Sequence, residues 1–288
     1  MKRYTGEILI LCSTLAWGLS YIFTKTTLQA LVPFNVIAFR FTTAFMATAL
    51  VFQRRLRLIG RSELGYGLLL GIQLFASSSL LAAGLNHTTI SNAGFIIGSM
   101  VLFVAIMDSL VAGKKPYFGL IAGIILALAG IAVLTLRDHI TMNTGDLYCL
   151  GATLTLSTHV MTAQRASLRA DPVGASIAQF IVTGILAWAA SLVMGVVVFP
   201  EGRILLSVVF LGVVGTAIAF VCQVAGQKYV PPTRTAFLFT LEPVFATLFA
   251  WLFLNEQVTW HVFAGGGLLL SGVYVSGIKP RDGENNTL

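Results

Sequence analysis

One feature recurs along the whole chain: runs of about 20 mostly apolar residues, the length needed to cross a hydrocarbon core of about 30 Å, follow one another with only short connectors. Ten runs can be drawn, at 7–24, 34–52, 64–84, 92–112, 117–136, 146–164, 173–198, 204–227, 234–254 and 260–278. They consume most of the 288 residues and leave no stretch for a separate aqueous domain. Composition agrees, with 10% charged residues against about 25% in soluble domains. Backbone groups in hydrocarbon find no water, so each run is expected to satisfy its own hydrogen bonds as a helix. The expected fold class is an all-α membrane protein with ten transmembrane helices.

Charge orients these helices. A net charge of +7 in a soluble protein would suggest a nucleic-acid partner; here the basic residues flank apolar runs, so none is expected. With the N-terminus inside, the cytoplasmic segments hold Lys2, Arg3, Arg54, Arg55, Arg57, Arg61, Lys114, Lys115, Arg165, Arg169, Lys228, Arg234, Lys279 and Arg281. The other side holds Lys25, Arg137 and Arg203, while Arg40 lies inside the second run. Lys and Arg near helix ends resist translocation, so both termini are expected in the cytoplasm. The first run follows Lys2 and Arg3 as a signal peptide would, but it lacks a small-residue cleavage site and reads as a retained helix. Cys12, Cys149 and Cys222 match no metal or redox spacing and read as small buried hydrophobes.

An internal repeat divides the chain. Thr5-Gly6-Glu7 recurs as Thr144-Gly145-Asp146, Pro33 as Pro172 and Phe41 as Phe180, at an offset of 139. Gly84 recurs as Gly226, Phe95 as Phe237, Phe103 as Phe245, Gly123 as Gly265 and Gly130 as Gly272, at an offset of 142. One length difference between the second and third helices of each half would explain the change. Two repeats are therefore expected, 1–140 and 141–288. Each has five helices, an odd number, so the second must be inverted. Inverted five-helix repeats about a pseudo-two-fold axis are a transporter architecture.

Ala16-Trp17-Gly18, Arg40-Phe41, Ser91-Asn92-Ala93-Gly94-Phe95, Gly145-Asp146-Leu147, Leu241-Glu242-Pro243-Val244-Phe245 and Asn255-Glu256 follow in order. With these pieces the chain resembles the EamA family of the drug/metabolite transporter superfamily, in its bacterial ten-helix form. Met100-Val101 departs from the pattern, standing where many members have a proline, and Lys114 where many have Glu. The resemblance implies secondary transport of a small organic metabolite or drug-like solute by alternating access, directed outward across the bacterial inner membrane. It also implies a central cavity lined by helices 1–4 and 6–9.

Polar residues inside the runs mark the candidate site. Helix 1 carries Thr14, Trp17, Tyr21 and Lys25 at helical spacing. Helices 5 and 10 are nearly all aliphatic and glycine, including a GxxxG at Gly119–Gly123, and suit close packing. Ionisable groups in the core are costly and usually functional. Glu242 lies about 12 Å into helix 9, beside Pro243, which cannot donate a helical hydrogen bond. It is the candidate for proton coupling, for a cationic substrate group, or for a structural pair with Arg40. Arg40, about 9 Å into helix 2, suits a carboxylate. The substrate-binding set is Trp17, Arg40, Gln73, Asn92, His159, Gln223 and Glu242, with single polar residues equally readable as interhelical bridges. Asp108 reads as a gate or surface pair with Lys114 or Lys115. No phosphate loop or metal-ligand cluster occurs in the sequence; no cofactor, metal or ATPase subunit is expected, and the partners are a small molecule and the bilayer. A lipid-linked carrier flippase and an intramembrane enzyme remain as alternatives.

Overall fold

The computed structural model describes residues 2–88, 90–113, 115–135, 143–255 and 260–277. Every regular element among the described residues is a helix, without strands: α1 (Lys2–Leu28), α2 (Pro33–Val51), α3 (Arg61–Leu85), α4 in two pieces (Ile90–Gly98 and Met100–Ala112) and α5 (Phe118–Thr135) make the first half. The second half holds α6 (Thr144–Arg169), α7 (Pro172–Val193), α8 (Gly202–Gln227), α9 in two pieces (Pro232–Phe239 and Glu242–Leu254) and α10 (Trp260–Val275). A single short helix, Gln53–Leu56, joins α2 to α3. Among the described residues, seven helices, α1–α4 and α7–α9, are long and apolar enough to cross a membrane. Helices α5 and α10 are apolar but shorter, and α6 is long but rich in Thr, Ser and His.

Local chemistry sets the ends. The side chain of Asn143 accepts from the Asp146 amide at 3.1 Å, and Asp146 accepts back from the Asn143 amide at 2.9 Å, so α6 opens on a capping box. Asp171 accepts from the Gly174 amide at 3.0 Å ahead of Pro172, which suits the first helical position. Helix α7 stops at Val193, short of the predicted 198, because Gly195 turns the chain at φ 65°.

The repeat governs the packing. Helices pack as α5 on α10, α3 on α6 and α7, α2 on α7 and α8, α1 on α8 and α9, and α4 on α6. Exchanging each first-half helix with its second-half equivalent maps this set onto itself, and every one of these pairings joins the two halves. Individual contacts repeat at the sequence offsets. A Cβ at Gly6 would lie 2.9 Å from the Gly226 carbonyl, and one at Gly145 would lie 2.6 Å from that of Gly84. In the α5–α10 seam, a Cβ at Gly123 would lie 2.9 Å from the Gly272 carbonyl, and one at Gly265 would lie 2.9 Å from that of Gly130. The backbones approach so closely that only a hydrogen side chain fits, as small-residue membrane seams require.

The change of offset is not the single step that the sequence suggests. Gly71 meets the Gln179 carbonyl and Val182, while Gly212 meets the Arg40 carbonyl and Thr43, so in the early part of α3 and α8 the offset is 141. It becomes 142 by Gly84 and Gly226. Between them α8 passes through a π-helical segment, Val213–Ile218, which takes in one extra residue without breaking the rod.

Both α4 and α9 are interrupted at equivalent positions, around Ser99 and around Thr240-Leu241. Pro243 accounts for the break in α9. The interruption of α4 has no proline and was not foreseen; there the Ser99 hydroxyl donates to the Ile96 carbonyl at 2.6 Å, competing with the helical ladder. Replacing Gly272 by Val should force the α5–α10 seam apart at a cost of about 1–3 kcal/mol. Thermal unfolding in detergent measures it, with Gly267→Val, where nothing lies within 4 Å, as the matched control expected to leave the midpoint unchanged.

Candidate functional site

Arg40 is built into the fold by the π-helical segment of α8. A π-turn shifts the hydrogen-bond register and exposes backbone acceptors. Here the Gly215 carbonyl accepts from Arg40 Nη2 at 2.7 Å and from the Trp17 indole Nε1 at 3.1 Å. Arg40 Nε donates to Thr216 Oγ1 at 2.5 Å, and that hydroxyl donates to the Leu211 carbonyl at 2.9 Å. Two faces of the guanidinium are thus fixed by the helix it packs against.

Glu242 starts the second piece of α9, in its first turn, where the unpaired amides and the helix dipole favour a carboxylate. Tyr21 of α1 lies close enough to interact with this carboxylate. Arg40 lies near enough to act electrostatically on both. Tyr21 and Arg40 each sit seven residues from a helix end, Leu28 and Pro33, so both lie about 10 Å from the end of the bundle opposite the basic residues. Tyr21 is nonetheless 56% exposed. Beneath the three, Trp17 meets Phe220 and Phe239 edge-on, with ring centroids 5.2 and 5.0 Å apart, and Phe41, Phe180 and His159 continue the aromatic layer around Phe220.

The repeat equivalents of Tyr21, Arg40 and Glu242 are Val160, Gln179 and Met100, so the ionisable set exists once. Val160 is 1% exposed, against the 56% of Tyr21. The seam differs likewise at its two ends. At the basic end Pro232–Phe239 packs on Met100–Ala112 and on α6; among the described residues, Ile90–Gly98 has no comparable packing on Glu242–Leu254 or on α1 at the other end.

The remaining sequence candidates have partners of their own. His159 is buried with its Nε2 3.1 Å from Gln179 Oε1. Gln73 donates to Thr158 and Thr162 at 3.3 and 3.1 Å, and Gln223 donates to Gln227 at 3.3 Å. These are bridges within and between helices. The side chain of Asn92 lies outside the described residues, as does Lys114. Asp108 accepts from the Thr233 hydroxyl at 2.5 Å, and its expected pairing with Lys114 lies outside the described residues. Tyr21 is the residue that the sequence reading left out of the site. Its place on the polar stripe, four residues beyond Trp17, was the available signal.

With this geometry in view, the chain belongs to the EamA-like transporter family, whose pattern matches it twice, over residues 4–136 and 143–278. It is a membrane transporter of the drug/metabolite superfamily. It is 26% identical over 287 residues to an uncharacterized transporter of Archaeoglobus fulgidus, covering 95% of this chain and 97% of that one. It is also 26% identical over 295 residues to a probable amino-acid metabolite efflux pump of Escherichia coli K12, covering 96% and 95%. A crystal structure 21% identical in sequence superimposes with a TM-score of 0.81, covering 94% of this chain and 95% of that one, which shows the shared fold.

Because Thr216 is fully buried, Thr216→Val should leave Arg40 Nε without its acceptor. The expected loss is about 1–3 kcal/mol, read as a lowered unfolding midpoint; Thr216→Ser, which keeps the hydroxyl, should recover most of it.

Proposed function

We propose that the chain is a secondary transporter that exports a small organic metabolite by alternating access between two inverted repeats, 1–140 and 141–288. All ten helices cross the bacterial inner membrane in this reading, with both termini and the basic end in the cytoplasm. The observation that carries it is the Tyr21–Glu242–Arg40 set at the interruption of α9, reachable from one end of a seam that is packed shut at the other. Broken helices at the seam of inverted repeats are where such proteins hold substrates and coupling ions. The named activity of the E. coli relative supports the outward direction.

Arg40 presents a fixed positive fork and Glu242 a carboxylate, a pair suited to a zwitterionic solute, carboxylate to guanidinium and ammonium to carboxylate. Glu242 is the coupling group: it exchanges a proton with the open side and gives up its tie to Tyr21 when substrate arrives. The groups facing it are Tyr21 from α1 and Arg40 from α2. The lipid-linked alternative is less well served. An apolar recess of about 230 Å³ between α2 and α7 is lined by Thr42, Phe45, Phe180, Ile181, Gly184, Ile185 and Trp188, with no charge to meet a phosphate head group.

In proteoliposomes, a proton gradient should drive amino-acid flux by the parent chain. Glu242→Gln should abolish the pH dependence of that flux while leaving the unfolding midpoint within a few degrees. Flux with an unaltered pH profile in Glu242→Gln removes Glu242 from coupling. Thermal-shift screening against amino acids, nucleosides and amphiphilic drugs tests the solute class, since a ligand of the folded form alone raises its apparent stability.

A further inference from the structure

The two ends of the seam are equivalent by ancestry yet differently packed, and one hydrogen bond marks the difference. At the basic end the Thr233 hydroxyl, in the first turn of α9, donates to Asp108 Oδ2 in the last turns of α4 at 2.5 Å. This bond joins the two half-helices that close over the seam there, Pro232–Phe239 and Met100–Ala112. Beneath it Thr235, Ala236, Phe237, Leu238 and Phe239 are all buried. At the other end the repeat equivalent of Asp108 is Ala250, which has no side-chain acceptor. The corresponding half-helices have no comparable packing among the described residues, and Tyr21 on α1 is exposed.

We infer that the Thr233–Asp108 hydrogen bond is a gate latch. It holds the basic end of the seam shut and sets the resting conformation, with the Tyr21–Glu242–Arg40 site facing the side opposite the basic residues. The inference rests on the alternating-access reading given above and adds which gate is latched, by which atoms, and why its twin is not. A hydrogen bond to a carboxylate is among the stronger kinds, and a two-state equilibrium moves by as much as a contact differs between its states. The latch is formed only with the basic end closed, so its loss favours the opposite state.

The test uses the full chain in proteoliposomes and a membrane-impermeant maleimide, with labelling of the parent's Cys12, Cys149 and Cys222 as baseline. Val160→Cys reports opening at the basic end, since Val160 is 1% exposed behind the gate. Thr24→Cys, one turn beyond Tyr21 on α1, reports opening at the other end. Adding Thr233→Val or Asp108→Ala to Val160→Cys should speed its labelling from the basic side about tenfold. That corresponds to about 1.4 kcal/mol of lost latch energy. The same changes should slow labelling of Thr24→Cys from the opposite side. Thr233→Ser, which keeps the donor, should label at the parent rate. Equal Val160→Cys rates with Thr233 and with Thr233→Val overturn the latch, and so does a Thr233→Ser rate as fast as that of Thr233→Val. Flux in vesicles separates the two readings: a latch that fails while solute still moves leaves the transporter intact. A chain that moves no amino acid, nucleoside or amphiphile under any gradient removes the transporter reading and the latch with it.

Discussion

Hydrocarbon supplies no partner for a backbone amide or carbonyl, and everything else in this molecule follows from that. Each crossing must be a helix that satisfies itself, and because lipid tails are as apolar as leucine, burial alone gives the helices little reason to associate. They associate where backbones approach closely enough for dispersion contacts. The glycine seams between α5 and α10, and between the start of each half and the end of α8 or α3, supply that approach. Where the chain departs from regular helix, at the interruptions of α4 and α9 and the π-segment of α8, it does so inside the bundle. There the freed acceptors find protein donors: the Gly215 carbonyl is met by Arg40 and by Trp17.

The sequence carried the helices and the repeat openly, because periodic apolar length and a constant offset are both one-dimensional signals. It also carried Glu242 and Arg40, since an ionisable group among apolar neighbours is conspicuous. It did not carry the interruption of α4, which arises from a serine and from the packing around it. Nor did it show the partners of His159, Gln73 and Gln223: a polar side chain on an inward face reads the same whether it bridges helices or faces solute, and the bridges that these three make appear only in three dimensions. Tyr21 stood on the polar stripe of helix 1 but was not singled out, a tyrosine in a membrane helix being unremarkable until it is seen beside a carboxylate.

Duplication gave the two halves one architecture, and substitution then made them unequal. The positions of Tyr21, Arg40 and Glu242 became Val160, Gln179 and Met100, and the π-helical segment in α8 has no counterpart at the equivalent place in α3. The charged fork therefore has a seat in one half only. A symmetric pair of sites would bind alike in both conformations; an unequal pair lets the direction of opening matter to the solute.

The main helix pairings all run between the halves, so neither repeat is a packing unit in its own right. Helix α5 waits for α10, and α1 for α8 and α9, all synthesised later. During biosynthesis the first five helices must then stand in the bilayer nearly unaccompanied, and a ribosome that stalls midway releases a polypeptide with no native core to fall back on. Splitting the gene at the repeat boundary would yield fragments rescued only by expressing both together.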